Sequence, residues 1–276
     1  MGTVLGLAAA LLYGGSDFAG GLAARRLGSL PVNLVGTAAS VLIAWAALGM
    51  FAGPGPSVHA VAWGLASGLG GGAGTLTLYR GLARGQMSVV GPVSAVAAAA
   101  LPVAAGIAMG ERPPLPALVG IAVSLPAIVL VTTNGRGKGI ARTALLDGLG
   151  AGAAFGVMFI GLAQAGAGSG LWPVASEQTG SLVLVLAVAA KTRAPLRAAI
   201  RAPGWPVLVG ASGMAATLLY FYATHSSMLS TTVVLVSLYP AVTVLLARMV
   251  LHERFNGAQR AGLVLSTLAV IAIALD

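Results

Sequence analysis

Residues 88–112 read SVVGPVSAVAAAALPVAAGIAMGER, and residues 230–254 read STTVVLVSLYPAVTVLLARMVLHER. Each is a long run dominated by apolar and small residues, opened by serine (Ser88, Ser230) and closed by Glu-Arg (Glu111-Arg112, Glu253-Arg254). A helix crossing a bilayer core needs roughly 20 such residues. A β-barrel would show short alternating segments instead. The spacing 253 − 111 = 142 then organises the rest of the chain. It carries Pro31-Val32 onto Pro173-Val174, Trp63 onto Trp205, Thr75-Leu76 onto Thr217-Leu218 and Gly120 onto Gly262. Alanine, glycine, leucine and valine would coincide often by chance. The Trp, Pro and Glu-Arg matches are rarer and weigh more.

Composition agrees with a membrane chain. Of 276 residues, 58% are hydrophobic and only 8% charged, and mean hydropathy is +0.95. Soluble domains are about a quarter charged, so the composition excludes a soluble enzyme, a nucleic-acid binder and a disordered chain. Apolar runs fall near 3–23, 31–52, 60–79, 88–109, 115–133, 144–165, 171–190, 205–224, 230–251 and 257–275. Breakers such as Gly53-Pro54-Gly55-Pro56, Pro113-Pro114, Asn134-Gly135 and Pro203-Gly204 separate them.

The expected fold is therefore an all-α polytopic membrane protein, with ten transmembrane helices in two inverted five-helix repeats. Residues 1–134 form the first repeat (spans 1–5), residues 135–142 a cytoplasmic connection, and residues 143–276 the second repeat (spans 6–10). An odd number of spans per repeat forces the second into the opposite orientation. Inverted repeats are common in secondary transporters, with the substrate site at their interface.

The net charge of +9 reads as topology rather than as nucleic-acid affinity. Of the 15 Lys and Arg, all but Arg112 fall in or beside the odd-numbered loops. Cytoplasmic loops carry the excess of positive charge, so both termini are expected on the extracytoplasmic side of the cell (inner) membrane.

Gly110-Glu111-Arg112 after span 4, Tyr239-Pro240 with Leu251-His252-Glu253-Arg254 in and after span 9, and Tyr13-Gly14-Gly15-Ser16-Asp17-Phe18 in span 1 together resemble the EamA-type transporters of the drug/metabolite transporter (DMT) superfamily. The resemblance covers nearly the whole chain. It departs at Ala98, which stands opposite Pro240, and at Gly110, opposite His252. It implies a basket in which spans 1, 3 and 4 face spans 6, 8 and 9 across a central cavity. Export of amino acids or metabolites is a common role in that family.

Charges inside a bilayer are costly and mark function by default. Asp17 lies within span 1, with Tyr13 four residues before it on the same face and Ser16 beside it. Such a carboxylate could bind a substrate amine or exchange a proton; its alternative is a structural pairing with Arg25 or Arg26. Glu177 lies inside span 7, next to Gln178. Neither carboxylate has a repeat mate, since Phe159 stands opposite Asp17 and Val35 opposite Glu177. A substrate breaks symmetry in this way.

Tyr79, Tyr220, Tyr222 and Tyr239 complete the candidates for substrate binding or proton coupling, against the alternative of an interfacial aromatic belt. Gly71, Gly72 and Gly74 in span 3, Pro92 and Pro102 in span 4, and Pro240 in span 9 are hinge candidates; the alternative is close static packing. Glu111, Arg112, Glu253 and Arg254 are expected to be structural, capping or tying helix ends. Asp147 near the start of span 6 is expected to serve the helix dipole.

No catalytic constellation is visible. Cysteine is absent, and His59, His225 and His252 lack metal-ligand spacing, so no metal and no cofactor is expected. The expected function is secondary-active transport of a small organic solute (an amino acid, metabolite or drug-like compound), by alternating access. The expected partners are that solute, the bilayer and protons as a candidate coupling ion, with no nucleic acid and a monomer favoured. The alternatives are a non-transporting scaffold and a facilitative channel.

Overall fold

The computed structural model describes residues 1–51, 53–84, 87–132, 142–193, 197–251 and 257–274. Among these residues the chain is predominantly helical, with no strand. The first half contains α1 (Gly2–Leu27), α2 (Ser29–Met50), α3 (Val58–Ala83), α4 (Met87–Ala108) and α5 (Leu115–Thr132). The second contains α6 (Arg142–Gln164), α7 (Trp172–Thr192), the short α8 (Arg197–Arg201), α9 (Gly204–Thr224), α10 (Leu229–Val236), α11 (Tyr239–Leu251) and α12 (Gly257–Ala274). By length and composition α1, α2, α6, α7 and α9 can each cross a membrane.

Burial is arranged for a lipid surround. Leu42, Val183 and Leu208 point outward, while Ser67, Ser94, Thr217 and Glu177 lie inside. Among apolar lipid tails no hydrophobic drive brings helices together, so close van der Waals approach and interhelical hydrogen bonds must do so. Glycine supplies the approach. A Cβ at Gly68 in α3 would collide with the Glu177 carbonyl of α7, and one at Gly210 in α9 with the Gly36 carbonyl of α2. Ser67 Oγ donates to the Met158 carbonyl at 2.7 Å, joining α3 to α6. Ser16 Oγ donates to the Val209 carbonyl at 3.0 Å, joining α1 to α9.

The two halves interleave. α3 packs between α6 and α7, and α9 packs against α1 and α2. α4 packs on α6, and α1 on α10 and α11; α5 pairs with α12, α2 with α7, and α4 with α10.

Two features differ from the sequence expectation. Span 9 is two helices, α10 and α11, separated at Ser237 and Leu238. Pro240 has no N–H to give, and its ring would strike the carbonyl four residues earlier. The chain answers with tighter turns, the Leu238 N–H reaching the Leu235 carbonyl and the Ala241 N–H the Leu238 carbonyl. The connection between α7 and α9 carries the extra turn of helix α8, which holds Arg197 and Arg201.

Charged ends are tied locally. Asp147 is buried and accepts from Arg80, at 3.1 Å from Nε and 2.6 Å from Nη2, and from Arg84 Nη1 at 3.0 Å. The expectation of a helix-dipole role for Asp147 is thereby corrected. α6 begins at Arg142, so Asp147 stands past the first turn, where the dipole's reach fades, and its carboxylate pins α3 to α6. Arg25 and Arg26 at the end of α1 are exposed, and no ion pair joins either to Asp17 among the described residues.

Glu111 is a cap. Its Oε1 accepts from the Leu229 N–H at 2.6 Å and its Oε2 from the Ser230 N–H at 3.0 Å. These are two of the N-terminal donors of α10 that have no partner inside their own helix. Arg112 beside it is exposed. Glu253 and Arg254 lie outside the described residues.

Candidate functional site

A cavity of about 100 Å³ lies among α1, α2, α3, α6, α7, α9 and the start of α11. Four sequence candidates reach it from the first half of the chain: Tyr13, Ser16 and Asp17 on α1 and Tyr79 on α3. Glu177 and Gln178 on α7 and Tyr239 on α11 reach it from the second.

Several of these side chains have fixed partners. The Tyr13 hydroxyl pairs with Thr217 Oγ1 at 2.9 Å, which orients its ring edge-on to Phe159 at 6.3 Å between centroids. The Tyr239 hydroxyl lies 3.5 Å from Ser94 Oγ. Ser16 spends its hydroxyl on Val209. Gly20 leaves space for the Tyr79 ring, which a Cβ there would meet at 2.5 Å.

Tyr220 and Tyr222 do not line the cavity. Tyr220 is fully buried behind it, donating to the Phe159 carbonyl at 2.8 Å and packing on the Phe159 ring. Tyr222 is exposed and meets Phe221 edge-on. Residues two apart on a helix point to different faces, so the two tyrosines could not share one role.

The hinge candidates divide. α3 runs unbroken through Gly71, Gly72 and Gly74. Each of these glycines faces a close neighbour: Glu177 Oε1 for Gly71, Ser181 for Gly72 and the Phe155 ring for Gly74. Pro102 is buried within the continuous α4, which also holds Pro92. Pro240 stands at the break between α10 and α11.

The lining holds polar groups that the sequence reading passed over. Asn33, Thr37 and Ser40 on α2 form one wall. Their spacing of i, i+4, i+7 is the signature of a helix face, and a polar stripe in so apolar a span was the signal available. Thr75, Ser181 and Thr217 add hydroxyls, and Phe155, Met158 and Phe159 an apolar wall from α6.

Two buried polar atoms on residues of this lining are unsatisfied. Thr37 Oγ1 donates to Asn33 Oδ1 at 3.0 Å, while Asn33 Nδ2 has no partner, and neither does Glu177 Oε2. Asn33 and Glu177 are each 3% exposed, so bulk water does not relieve them. A buried polar group without a partner costs free energy, and a site built to receive a ligand is where such groups are tolerated. Among the described residues, the lining contains two carboxylates, Asp17 and Glu177, and no Lys, Arg or His.

Three comparisons with known proteins bear on the chain. The EamA-like transporter family matches residues 142–275. A crystal structure, described only as that of a protein, aligns with 99% of this chain and 96% of its own, with a TM-score of 0.71 and 16% sequence identity; this likeness shows a shared fold. No curated protein matches the sequence.

Proposed function

Because residues 142–275 belong to the EamA-like transporter family, we propose that the whole chain is a secondary-active transporter of a small organic solute. It works by alternating access between two inverted repeats, residues 1–134 and 143–276, joined by the cytoplasmic loop 135–142. The segment that the family model matches falls on the proposed second repeat.

One observation carries this reading: the cavity is lined by pairs of residues 142 apart. Tyr13 and Phe155, Ser16 and Met158, Asp17 and Phe159, Gly36 and Gln178, Gly71 and Gly213, and Thr75 and Thr217 all face it. A site on a pseudo-two-fold axis between repeats has this property, and secondary transporters hold substrate there. The packing supports the same relation. Gly68 and Gly210, one repeat spacing apart, each let their helix approach a backbone carbonyl of the next, α3 that of Glu177 on α7 and α9 that of Gly36 on α2. The bond from Ser67 to Met158 has its counterpart in the bond from Ser16 to Val209, with donor and acceptor exchanged.

Asp17 and Glu177 are the charged groups of this site, free to take a substrate cation or a proton. Tyr13, Tyr79, Tyr239, Ser16 and Gln178 shape it. In this reading the basic ends of α1, α3 and α7 face the cytoplasm, with both termini outside the inner membrane, and the solute is carried outward. A monomer suffices, since the cavity is enclosed by a single chain.

Reconstitution tests the proposal. Solutes that raise the thermal stability of the purified protein would be loaded into proteoliposomes. A carrier gives saturable flux, accelerated by the same solute on the far side. Binding without flux identifies a non-transporting scaffold, and non-saturable flux without countertransport identifies a channel.

A further inference from the structure

The chemistry of the cavity wall also selects among solutes. We infer that the substrate is a small organic cation carrying a neutral hydrogen-bond acceptor a few bonds from its charge, in preference to a zwitterion or an anion. This rests on the reading of the cavity as a transport site.

Three observations converge on that class. Asp17 and Glu177 line the cavity from separate helices, and among the described residues no basic side chain accompanies them in the lining. Glu177 Oε2 is buried and unpartnered, so a positive group beside it gains a charge-assisted hydrogen bond that the protein itself leaves unmade. Asn33 Nδ2 is buried and unpartnered on α2, the helix that packs against α7. An amide N–H suits a hydroxyl or carbonyl oxygen as well as a carboxylate. A carboxylate on the solute, however, would enter a space that already holds two and no compensating cation. Like charges in a low-dielectric site repel strongly. Phe159 and Tyr13 supply faces for the solute's apolar part and for its charge.

A matched series tests this on the purified full-length protein: leucinamide (a cation), leucine (a zwitterion) and α-hydroxyisocaproate (an anion). Thermal shift and calorimetry would be run on the wild type and on Glu177→Gln, Asp17→Asn and Asn33→Ala, each first checked for monodispersity. Leucinamide should stabilise the wild type most, leucine less and the anion not at all. Glu177→Gln should weaken leucinamide binding at least about tenfold, and Asn33→Ala should weaken it less.

The inference is overturned if leucine or the anion binds as tightly as leucinamide. It is overturned equally if folded Glu177→Gln and Asp17→Asn both keep wild-type affinity. Absence of binding at millimolar leucinamide, isobutylamine and phenylalaninamide also overturns it. Flux separates the two readings. Cation binding without countertransport sinks the transport reading and leaves the charge preference. Countertransport of the anion does the reverse.

Discussion

Glu177 and Asp17 are the residues on which the functional reading turns, and they differ in setting. Glu177 is buried with one oxygen unpartnered, whereas Asp17 is half-buried at the cavity edge. Neither has an ion-pair partner among the described residues. Neutral isosteres therefore remove a charge without orphaning a partner. Glu177→Gln and Asp17→Asn are predicted to lose most transport while thermal stability holds within about 1 kcal/mol of wild type; flux and unfolding midpoint on the same preparations check this. Stability lost together with flux would mark the carboxylates as structural. Both were legible in the sequence, because a charge inside an apolar span stands out. Asn33 was not, because a neutral amide is no outlier by itself and gains meaning only as one of three polar side chains on a single face of α2. Tyr222 misled for the opposite reason: it sits in a cavity-lining helix but on the wrong side of it.

At the scale of elements, two charged groups tie the interleaved halves at specific points. The Glu111 carboxylate closes two otherwise open N–H groups of α10. Glu111→Ala should cost about 1–2 kcal/mol of stability, as the loss of an N-terminal cap does, while Arg112→Ala, on an exposed side chain, should cost little; unfolding curves of the two variants compare them. The Asp147 cluster predicts an asymmetry. Asp147→Asn releases Arg80 and Arg84, which are each about half exposed and can turn to water (53% and 50%). The double variant Arg80→Gln/Arg84→Gln leaves a buried carboxylate unpaired and should be the more destabilised of the two. Equal stabilities in thermal unfolding would show that Asp147 is better solvated than its burial implies. The sequence reading took Glu111 as architectural, capping or tying helix ends, from the repetition of Glu-Arg at two such ends; in the structure its carboxylate meets the first N–H groups of α10. It missed the ion pairs of Asp147, since Arg80 and Arg84 come from a different helix and only the fold brings them together. It also drew span 9 as one helix, although Pro240 was marked as a breaker. The length of an apolar run shows that a span crosses, not whether its backbone is continuous.

At the scale of the whole molecule, the account says that one cavity serves both faces of the membrane in turn. The all-helical multi-pass architecture was readable from composition and from the length of the apolar runs. The proposed repeat rests on a few rare residues at one spacing and on the cavity residues that share it. How the two halves interleave was not legible, because the contacts that join α3 to α6 and α7 depend on backbone approaches at glycines such as Gly68, which look alike in sequence. The chain contains no cysteine, so a single introduced thiol reports without background. Thr75 lines the cavity, and Thr75→Cys would be exposed to a membrane-impermeant maleimide, once in intact cells and once in inside-out vesicles. Alternating access predicts that this one position is labelled from both sides, with each labelling slowed by a solute that binds. Labelling from one side only, with a permeant maleimide confirming that the thiol reacts, would contradict it.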